Sequence, residues 1–400
     1  MDHHPFTLKK LSVEHLDQST DLLRYAFQVT DNTLRECGWE DEEIKQSKSS
    51  VLERANVWGY FDGETLVSQF ASYPLEMNIH SVIYPIVFIT SVSTYPEYSG
   101  LGLMSKLMKR SLTEMRENGQ SLALLCPYSI PLYRKKGWEI VSDKMSFSIR
   151  EGGFPIYPEV PGYVRRVPRD DKEFTDLHMQ FAKRTHGCLF RNYLVWDKYW
   201  RWDEDDMTVA LYYRENGVPG GYMVYLIKNG VMYVKEMIYL DRESKKGLWN
   251  YISAHESMIT KVRGYHYFSE PIAFDLEDSD IKETIRPYIM GRIVDVEQFL
   301  EKYRFNPDVH AEFTVNISDP ILEWNNRSIT LAVSDGKAVQ KDGTAEHGAD
   351  LSIGTLTTLL LGYKRASELA ALERLCADPS TIHLLDQVFI SRKPYISDYI

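Results

Sequence analysis

The chain has 400 residues, of which 44% are hydrophobic and 26% charged, with a formal net charge of −11. That length exceeds one ordinary domain, so two or three are expected, with apolar material enough for sizeable cores. The acidic balance argues against a nucleic-acid partner, and no apolar run reaches membrane-spanning length. In chain order, residues 6–9 read as a short strand. Residues 14–27 read as an amphipathic helix with Leu16, Leu22, Leu23, Ala26 and Phe27 on its apolar side. Residues 39–51 form a polar helix candidate, acidic early and lysine-bearing later. Two strands, 57–61 and 65–72, flank an Asp62-Gly63 turn, a hairpin signal. Residues 75–82 and 83–94 continue an antiparallel meander, and Pro96 stops it.

A glycine-containing turn then leads from Tyr98 to Gly102. Leu103, Met104, Leu107 and Met108 follow at helical spacing, and this helix runs to about residue 117. A strand that feeds such a turn and a helix start makes an anion site. The free N–H groups of the first turn point outward, the helix dipole adds positive charge, and glycines let a phosphate approach the backbone. No Gly-Lys-Ser/Thr follows, which removes the P-loop reading, and the third glycine of the dinucleotide fingerprint is absent. Residues 122–126 read as a short apolar strand, 130–136 as a short helix ending at Gly137, and 139–149 as a strand.

After a linker rich in glycine and proline, residues 151–290 repeat this logic. A helix is expected over 172–184, strands over 209–214, 221–227 and 231–240, a helix over 247–261, and a strand beginning at Tyr267. From residue 291 the character changes. Strands over 313–317 and 328–333, turns at Asp335-Gly336 and Asp342-Gly343, and a passage from strand to apolar helix over 349–363 suggest a separate unit. A further helix is expected over 366–375. The cysteines Cys37, Cys126, Cys188 and Cys376 have no metal-like spacing. No metal site is expected, and reduced thiols in the cytoplasm are. Residues 1–6 contain no signal-peptide core.

The order of strands, glycine turn, helix, strand, helix and strand in residues 1–150 resembles the GNAT superfamily of acyl-CoA N-acyltransferases. Pro96-Glu-Tyr-Ser-Gly-Leu-Gly resembles the superfamily's acyl-CoA turn, with Ser99 where Arg or Gln is usual. Leu122-Ala-Leu-Leu-Cys resembles the strand that splays from the central one, and Leu132-Tyr-Arg-Lys-Lys-Gly-Trp resembles the Tyr-x-x-x-Gly-Phe motif. Asp241-Arg-Glu-Ser-Lys-Lys-Gly-Leu-Trp stands at the acyl-CoA-turn position of the second unit. It has one glycine instead of two, as in a degenerate, non-catalytic repeat. Ala349-Asp-Leu-Ser-Ile-Gly and the Leu-Leu-Leu-Gly after it resemble the sterol-carrier-protein fold. The three units in this order resemble, over the whole chain, the enhanced intracellular survival (Eis) family of bacterial acetyltransferases.

That resemblance implies an α+β fold. It has two tandem GNAT-like domains (1–150, catalytic, and 151–290, degenerate), each a mixed sheet with helices on both faces. A sterol-carrier-protein-like α/β domain (291–400) follows. It implies a cytoplasmic, acetyl-CoA-dependent N-acetyltransferase that acts on an amine of a cationic small molecule, aminoglycosides among the candidates. The amine attacks directly in a ternary complex, within a homo-oligomer that is commonly a hexamer. Nucleic acid, membrane and metal have no part.

By the same resemblance, Val92, Ser93 and Thr94 pair with the cofactor's pantetheine arm and polarise the thioester carbonyl. Backbone N–H groups of Gly100, Leu101, Gly102, Leu103 and Met104, with Ser105, hold the pyrophosphate. Ser99 leaves one charge-assisted contact unfilled, and Lys106 and Arg110 are the nearby cations in sequence. Tyr128 and Ser129 lie on a cofactor-contacting loop. Tyr133 is the general acid, because a phenol of pKa about 10 stays protonated at neutral pH and can donate to a departing thiolate. No side-chain base stands out. The resemblance gives that role to the carboxylate of Ile400, ionised at neutral pH, on an aromatic and apolar tail; the isoleucine departs from the aromatic residue usual at that place. Asp31, Glu36, Glu40, Asp41, Glu42 and Glu43 fall where the substrate side is expected and would attract a polyamine. Two alternatives remain at this level: binding of a lipid or other hydrophobic ligand through the third unit, and non-catalytic sensing of acetyl-CoA.

Overall fold

The computed structural model describes residues 6–30, 41–201, 207–268, 271–276 and 281–400, with the backbone alone for 41–47. The first unit opens with β1 (Thr7–Lys10), α1 (Leu16–Phe27) and α2 (Asp41–Arg54). Then β2 (Asn56–Asp62), β3 (Thr65–Ile79) and β4 (Val82–Thr94) form the antiparallel meander. Next come α3 (Leu103–Glu117), β5 (Leu122–Leu125), α4 (Ile130–Arg134) and β6 (Glu139–Arg150). The helix α3 forms as its spacing dictates. Leu103, Leu107, Met108, Leu112 and Met115 are buried on one face, packed in one cluster with Val87 and Ile89 of β4 and Ala123 and Leu125 of β5. Each such side chain contributes roughly 1.5–3 kcal/mol on burial.

The second unit runs β7 (Tyr163–Val167), α5 (Lys172–Arg184), β8 (Leu189–Phe190), α6 (Tyr193–Trp200), β9 (Thr208–Tyr213), β10 (Pro219–Lys228), β11 (Val231–Tyr239), α7 (Arg242–Ser253), β12 (Lys261–His266) and β13 (Ile281–Ile293). The helix expected over 247–261 begins five residues earlier and ends eight residues earlier, at Arg242–Ser253. Asp241 caps it, its carboxylate accepting from Ser244 N at 2.8 Å, and Lys261 already belongs to β12. The long strand β13 was not anticipated. It inserts between β5 and β6, pairing antiparallel with both. The two units therefore share one sheet, in the order β1-β2-β3-β4-β5-β13-β6-β12-β11-β10-β9-β7, with β8 on β3.

The third unit contains α8 (Val296–Leu300), β14 (Ala311–Ser318), β15 (Arg327–Ser334), β16 (Lys337–Lys341), β17 (His347–Ser352), α9 (Ile353–Leu360), α10 (Ala366–Ala371), β18 (Leu375–Cys376) and α11 (Pro379–Val388). Its sheet has the order β16-β15-β14-β17-β18. The apolar helix α9 is buried throughout. Thr357 Oγ1 accepts from Ile293 N at 3.0 Å, and Thr358 Oγ1 donates to Ile140 O at 2.9 Å. The apolarity that suggested a lipid site thus packs this unit against β13 and β6. No helix among the described residues is long and apolar enough to cross a membrane.

Three buried histidines set an acid limit on stability. Burial, offset in part by hydrogen bonds to backbone carbonyls, holds His178 and His186 at about 3 and His80 at about 4. The rings of His80 and His186 stack at 4.0 Å. The unfolded chain binds these protons near the ordinary pKa of about 6.5 and the folded chain does not. Their contribution is therefore present above pH 6.5 and is lost as the pH falls towards 4. Thermal melts should show Tm falling steadily over that interval; a flat Tm from pH 7 to 4.5 would contradict this account.

Candidate active site

The site begins at an irregularity in β4. Ala71 pairs with Thr90 and Gln69 with Ser93, so Ser91 and Val92 together oppose Phe70. Ser91 takes φ 55. This is a bulge, and it turns the end of β4 out of the regular ladder. On the other edge the parallel pairing with β5 stops at Ile89–Leu125, five residues before β4 ends. From Thr90 to Thr94 that edge has no strand neighbour among the described residues, which leaves its backbone groups open to a ligand. The side chains of Ser93 and Thr94 are held locally: Ser93 Oγ donates to Ser91 O at 3.4 Å, and Thr94 Oγ1 lies 2.7 Å from Ser68 Oγ.

The glycine turn follows. Gly100 and Gly102 have φ 81 and 74, and a Cβ added to either would meet nothing within 4 Å. They therefore present bare backbone to open space, in a conformation other residues adopt only with strain. No side chain caps α3. The first-turn N–H groups of Leu103, Met104 and Ser105 are left for a ligand, with the helix dipole behind them. Of the two cations expected nearby, Arg110 instead stacks on Trp58, 4.9 Å from the ring centre, and Lys106 is exposed. The cation at the turn is Lys136, whose Nζ lies 2.6 Å from Ser105 Oγ. Burial lowers its pKa.

Ser129 precedes α4, and Tyr128 points into solvent at 96% exposure. Tyr133 is buried at 6% exposure, edge-on to Trp138 at 6.2 Å, in the cluster that holds Leu107 and Met108. Burial, then the neighbouring Cys126, pushes its phenol up to about 12. It stays protonated across the working range. Lys136, in the same motif, is anchored by β13 and, through it, the third unit. Arg292 donates to Lys136 O, and its guanidinium forms a fully buried pair with Asp319 at 2.6 Å.

The tail is held by the second unit. Gly187 has φ 86 and so comes close to the tail: a Cβ there would lie 2.4 Å from that of Pro394. Tyr395 N donates to His186 O at 2.8 Å. Arg191, fully buried, bonds to Asp398 through Nε at 2.7 Å and to Glu236 through both Nη atoms at 3.0 and 2.7 Å. Burial draws Glu236 upward, but Arg191 more than offsets this and holds it at about 2. Burial raises Asp398, with Arg191 opposing. This triad pins the tail, and Ile400 is buried at 5% exposure. Cys126, just beyond β5, lies within electrostatic reach of Tyr133 on one side and of Tyr288 and Tyr399 on the other.

A cavity of about 760 Å³ opens next to the tail, with Ser397 and Tyr399 in its wall. Its described lining includes the cations Lys144, Lys198, Lys235, Arg263 and Lys282, and one carboxylate, Glu236, already bound to Arg191. A second cavity, about 30 Å³, contains Ser91 of the bulge, and Lys198 lines both. Of the acidic run expected to face the substrate, Asp31, Glu36 and Glu40 lie outside the described residues, as do the side chains of Asp41, Glu42 and Glu43. No group of three or more potential metal ligands occurs among the described residues.

Residues 7–141 and 187–293 each match the acetyltransferase (GNAT) domain, and residues 296–397 match the sterol carrier protein domain. An uncharacterised N-acetyltransferase of Streptomyces avermitilis is 25% identical over 354 residues, 82% of this chain and 84% of the relative. The N-acetyltransferase Eis of Mycobacterium tuberculosis is 23% identical over 335 residues, 78% of this chain and 80% of the relative. A crystal structure from Enterococcus faecalis, described as a probable N-acyltransferase, superposes with TM-score 0.90 at 28% identity over 99% of this chain and 100% of that one. Two GNAT units on one sheet, with the split beside β4 and a bare glycine turn, define an N-acetyltransferase of the GNAT superfamily. The third unit and the relatives that span most of the chain narrow the likeness: in all three units the chain is similar to the Eis-type N-acetyltransferases.

Proposed function

We propose that the chain transfers an acetyl group from acetyl-CoA to a primary amine in the gap between β4 and β5. The observation that carries this reading is the end of the β4–β5 pairing at Ile89–Leu125, which leaves the edge of β4 from Thr90 to Thr94 open beside the glycine turn. Acetyl-CoA supplies the acetyl group as an activated thioester. The backbone N–H groups of Gly100 to Met104, with Ser105, hold its pyrophosphate, and Lys136 supplies the positive charge that Ser99 does not. The open edge of Val92, Ser93 and Thr94 binds the pantetheine arm and donates to the thioester oxygen, a contact worth roughly 3 kcal/mol in such sites. Ser129 bounds the cofactor side, with Tyr128 at its solvent margin.

The amine nitrogen attacks the carbonyl carbon directly, forming C–N as C–S breaks. The amine's proton goes to the carboxylate of Ile400, and the departing sulfur takes the Tyr133 proton. An aminoglycoside is one amine of the required kind. Mass spectrometry of amines incubated with acetyl-CoA tests the reading; a gain of one acetyl group is expected. Appending two glycines after Ile400 should lower kcat by about 10²-fold or more with Tm unchanged. Full activity in the extended chain would remove Ile400 as the base, and absence of acetyl transfer to any amine would remove the function.

A further inference from the structure

We propose that the second GNAT unit keeps the cleft of its fold as a site for a small aromatic ligand bearing an N–H or O–H donor, held between the far ends of β11 and β12. The inference stands on the second unit alone and is independent of the acetyltransferase reading. The two units share a backbone pattern. In the first, the parallel ladder of β4 and β5 has four pairs and stops at Ile89–Leu125, five residues before β4 ends. In the second, the ladder of β11 and β12 also has four pairs. It stops at Val234–Gly264, five residues before β11 ends at Tyr239. A bulge follows the last pair here too: Val224 pairs with Glu236 and Tyr225 with Val234, so Lys235 has no opposite residue. From Lys235 to Tyr239 the edge that faced β12 has no strand partner among the described residues.

What differs is the helix start. Asp241 Oδ1 accepts from Ser244 N at 2.8 Å, and Asp241 Oδ2 accepts from Arg214 Nε at 2.9 Å. A carboxylate with its own counter-ion thus takes the place that a phosphate takes at the start of such a helix. Gly220 presses on the same turn: a Cβ there would lie 2.1 Å from Ser244 Oγ. The cleft is therefore closed to a pyrophosphate, but a cavity of about 350 Å³ remains. It lies between Met237 and Tyr239 of β11, Lys245 and Trp249 of α7, and Tyr265 and His266 of β12, and its size suits a small molecule. Rings make up much of its wall. Tyr239 stacks on Phe268 at 5.4 Å, Phe147 lies 6.0 Å from Trp249, and Phe181 and Phe268 meet Tyr395 at 5.0 and 5.1 Å. A ligand ring extends these stacked and edge-on contacts. His266 sets the polar requirement. Its ring is buried, with Nε2 3.2 Å from Glu283 Oε1. Burial, opposed by Glu283, lowers its pKa, so the ring is neutral at pH 7 and donates Nε2–H to the carboxylate. Nδ1 is then a bare acceptor, buried with no hydrogen-bond partner among the described residues. A ligand N–H or O–H satisfies it.

Indole and 1-methylindole test this, because the second lacks the donor; cyclohexanol serves as a donor without an aromatic ring. Ligand-observed NMR titrations use the full chain with excess CoA present. Indole should bind about three- to tenfold more tightly than 1-methylindole, with cyclohexanol weakest. His266→Phe should bring the two indoles to equal affinity by weakening indole alone. Thr185 is half-buried in the cavity wall, and Thr185→Trp should fill the space and abolish binding of both. Thermal melts establish that each variant folds, and Thr185→Trp keeps the test open should the buried His266 not tolerate replacement. Failure of indole to bind, equal affinities in the wild-type chain, or indole binding unmoved by a folded variant would overturn the inference. A calorimetric titration that finds a second CoA per chain, lost in Thr185→Trp, would overturn it as well.

Discussion

Tyr133→Phe is expected to lower kcat by about 10²–10⁴-fold while acetyl-CoA affinity stays within a few-fold of wild type. The substitution removes one hydroxyl from a buried ring and keeps the ring's contacts with Trp138 and the α3 side chains. Folding is therefore little affected, and any loss reports on the proton. Burial holds the phenol near 12, so it remains a donor at every working pH. No fall in kcat between pH 7 and 10 should trace to Tyr133. The measurement is steady-state kinetics alongside calorimetric titration with CoA. A variant that keeps its kcat would remove Tyr133 as the acid; one that loses CoA binding in proportion would make it a binding residue.

Arg191→Met is expected to be the most destabilising single change at the site, by about 3–5 kcal/mol. It leaves Glu236 and Asp398 buried side by side, both fully enclosed and like-charged, with their shared counter-ion gone. Denaturant melts should register the loss, and turnover should fall with it because Asp398 no longer fixes the tail. Asp398→Asn distinguishes the two effects. It keeps an acceptor for Arg191 Nε and relieves the carboxylate that burial already disfavours. Its stability should fall less than that of Arg191→Met, with any kinetic loss confined to kcat. A Tm for Arg191→Met equal to wild type would show that the triad does not hold this region.

What could be read in the sequence was local. Gly100 and Gly102 announce their turn because their positive φ and bare surface are local properties of glycine that need no distant partner. The helix α3 follows from the spacing of Leu103, Leu107 and Leu112. Tyr133 stands in a motif whose residues are neighbours along the chain. What escaped was assembled across distance. Arg191 meets Glu236 45 residues away and Asp398 207 residues away, and no spacing rule joins them. Lys136 lay within the motif, but its target, Ser105, is 31 residues distant, so Lys106 and Arg110 drew attention instead. Arg110 was diverted by the face of Trp58. The strand β13 carries Pro287 and several charges and lacks the alternation of a half-buried strand, because it pairs with different neighbours along its length. The acidic composition of the whole chain is compatible with a cationic substrate, yet the described walls of the large cavity carry five cations and one carboxylate. Net charge is a property of the surface at large, and a site is built from the few residues that face it.

The most direct test is a crystal structure with CoA bound. The pyrophosphate is predicted on the turn from Gly100 to Ser105 beside Lys136, the pantetheine along Val92 to Thr94, and the sulfur within hydrogen-bond reach of the Tyr133 hydroxyl, about 2.6–3.2 Å or one intervening water. CoA bound elsewhere, or a sulfur directed away from both Tyr133 and the tail, would contradict the account.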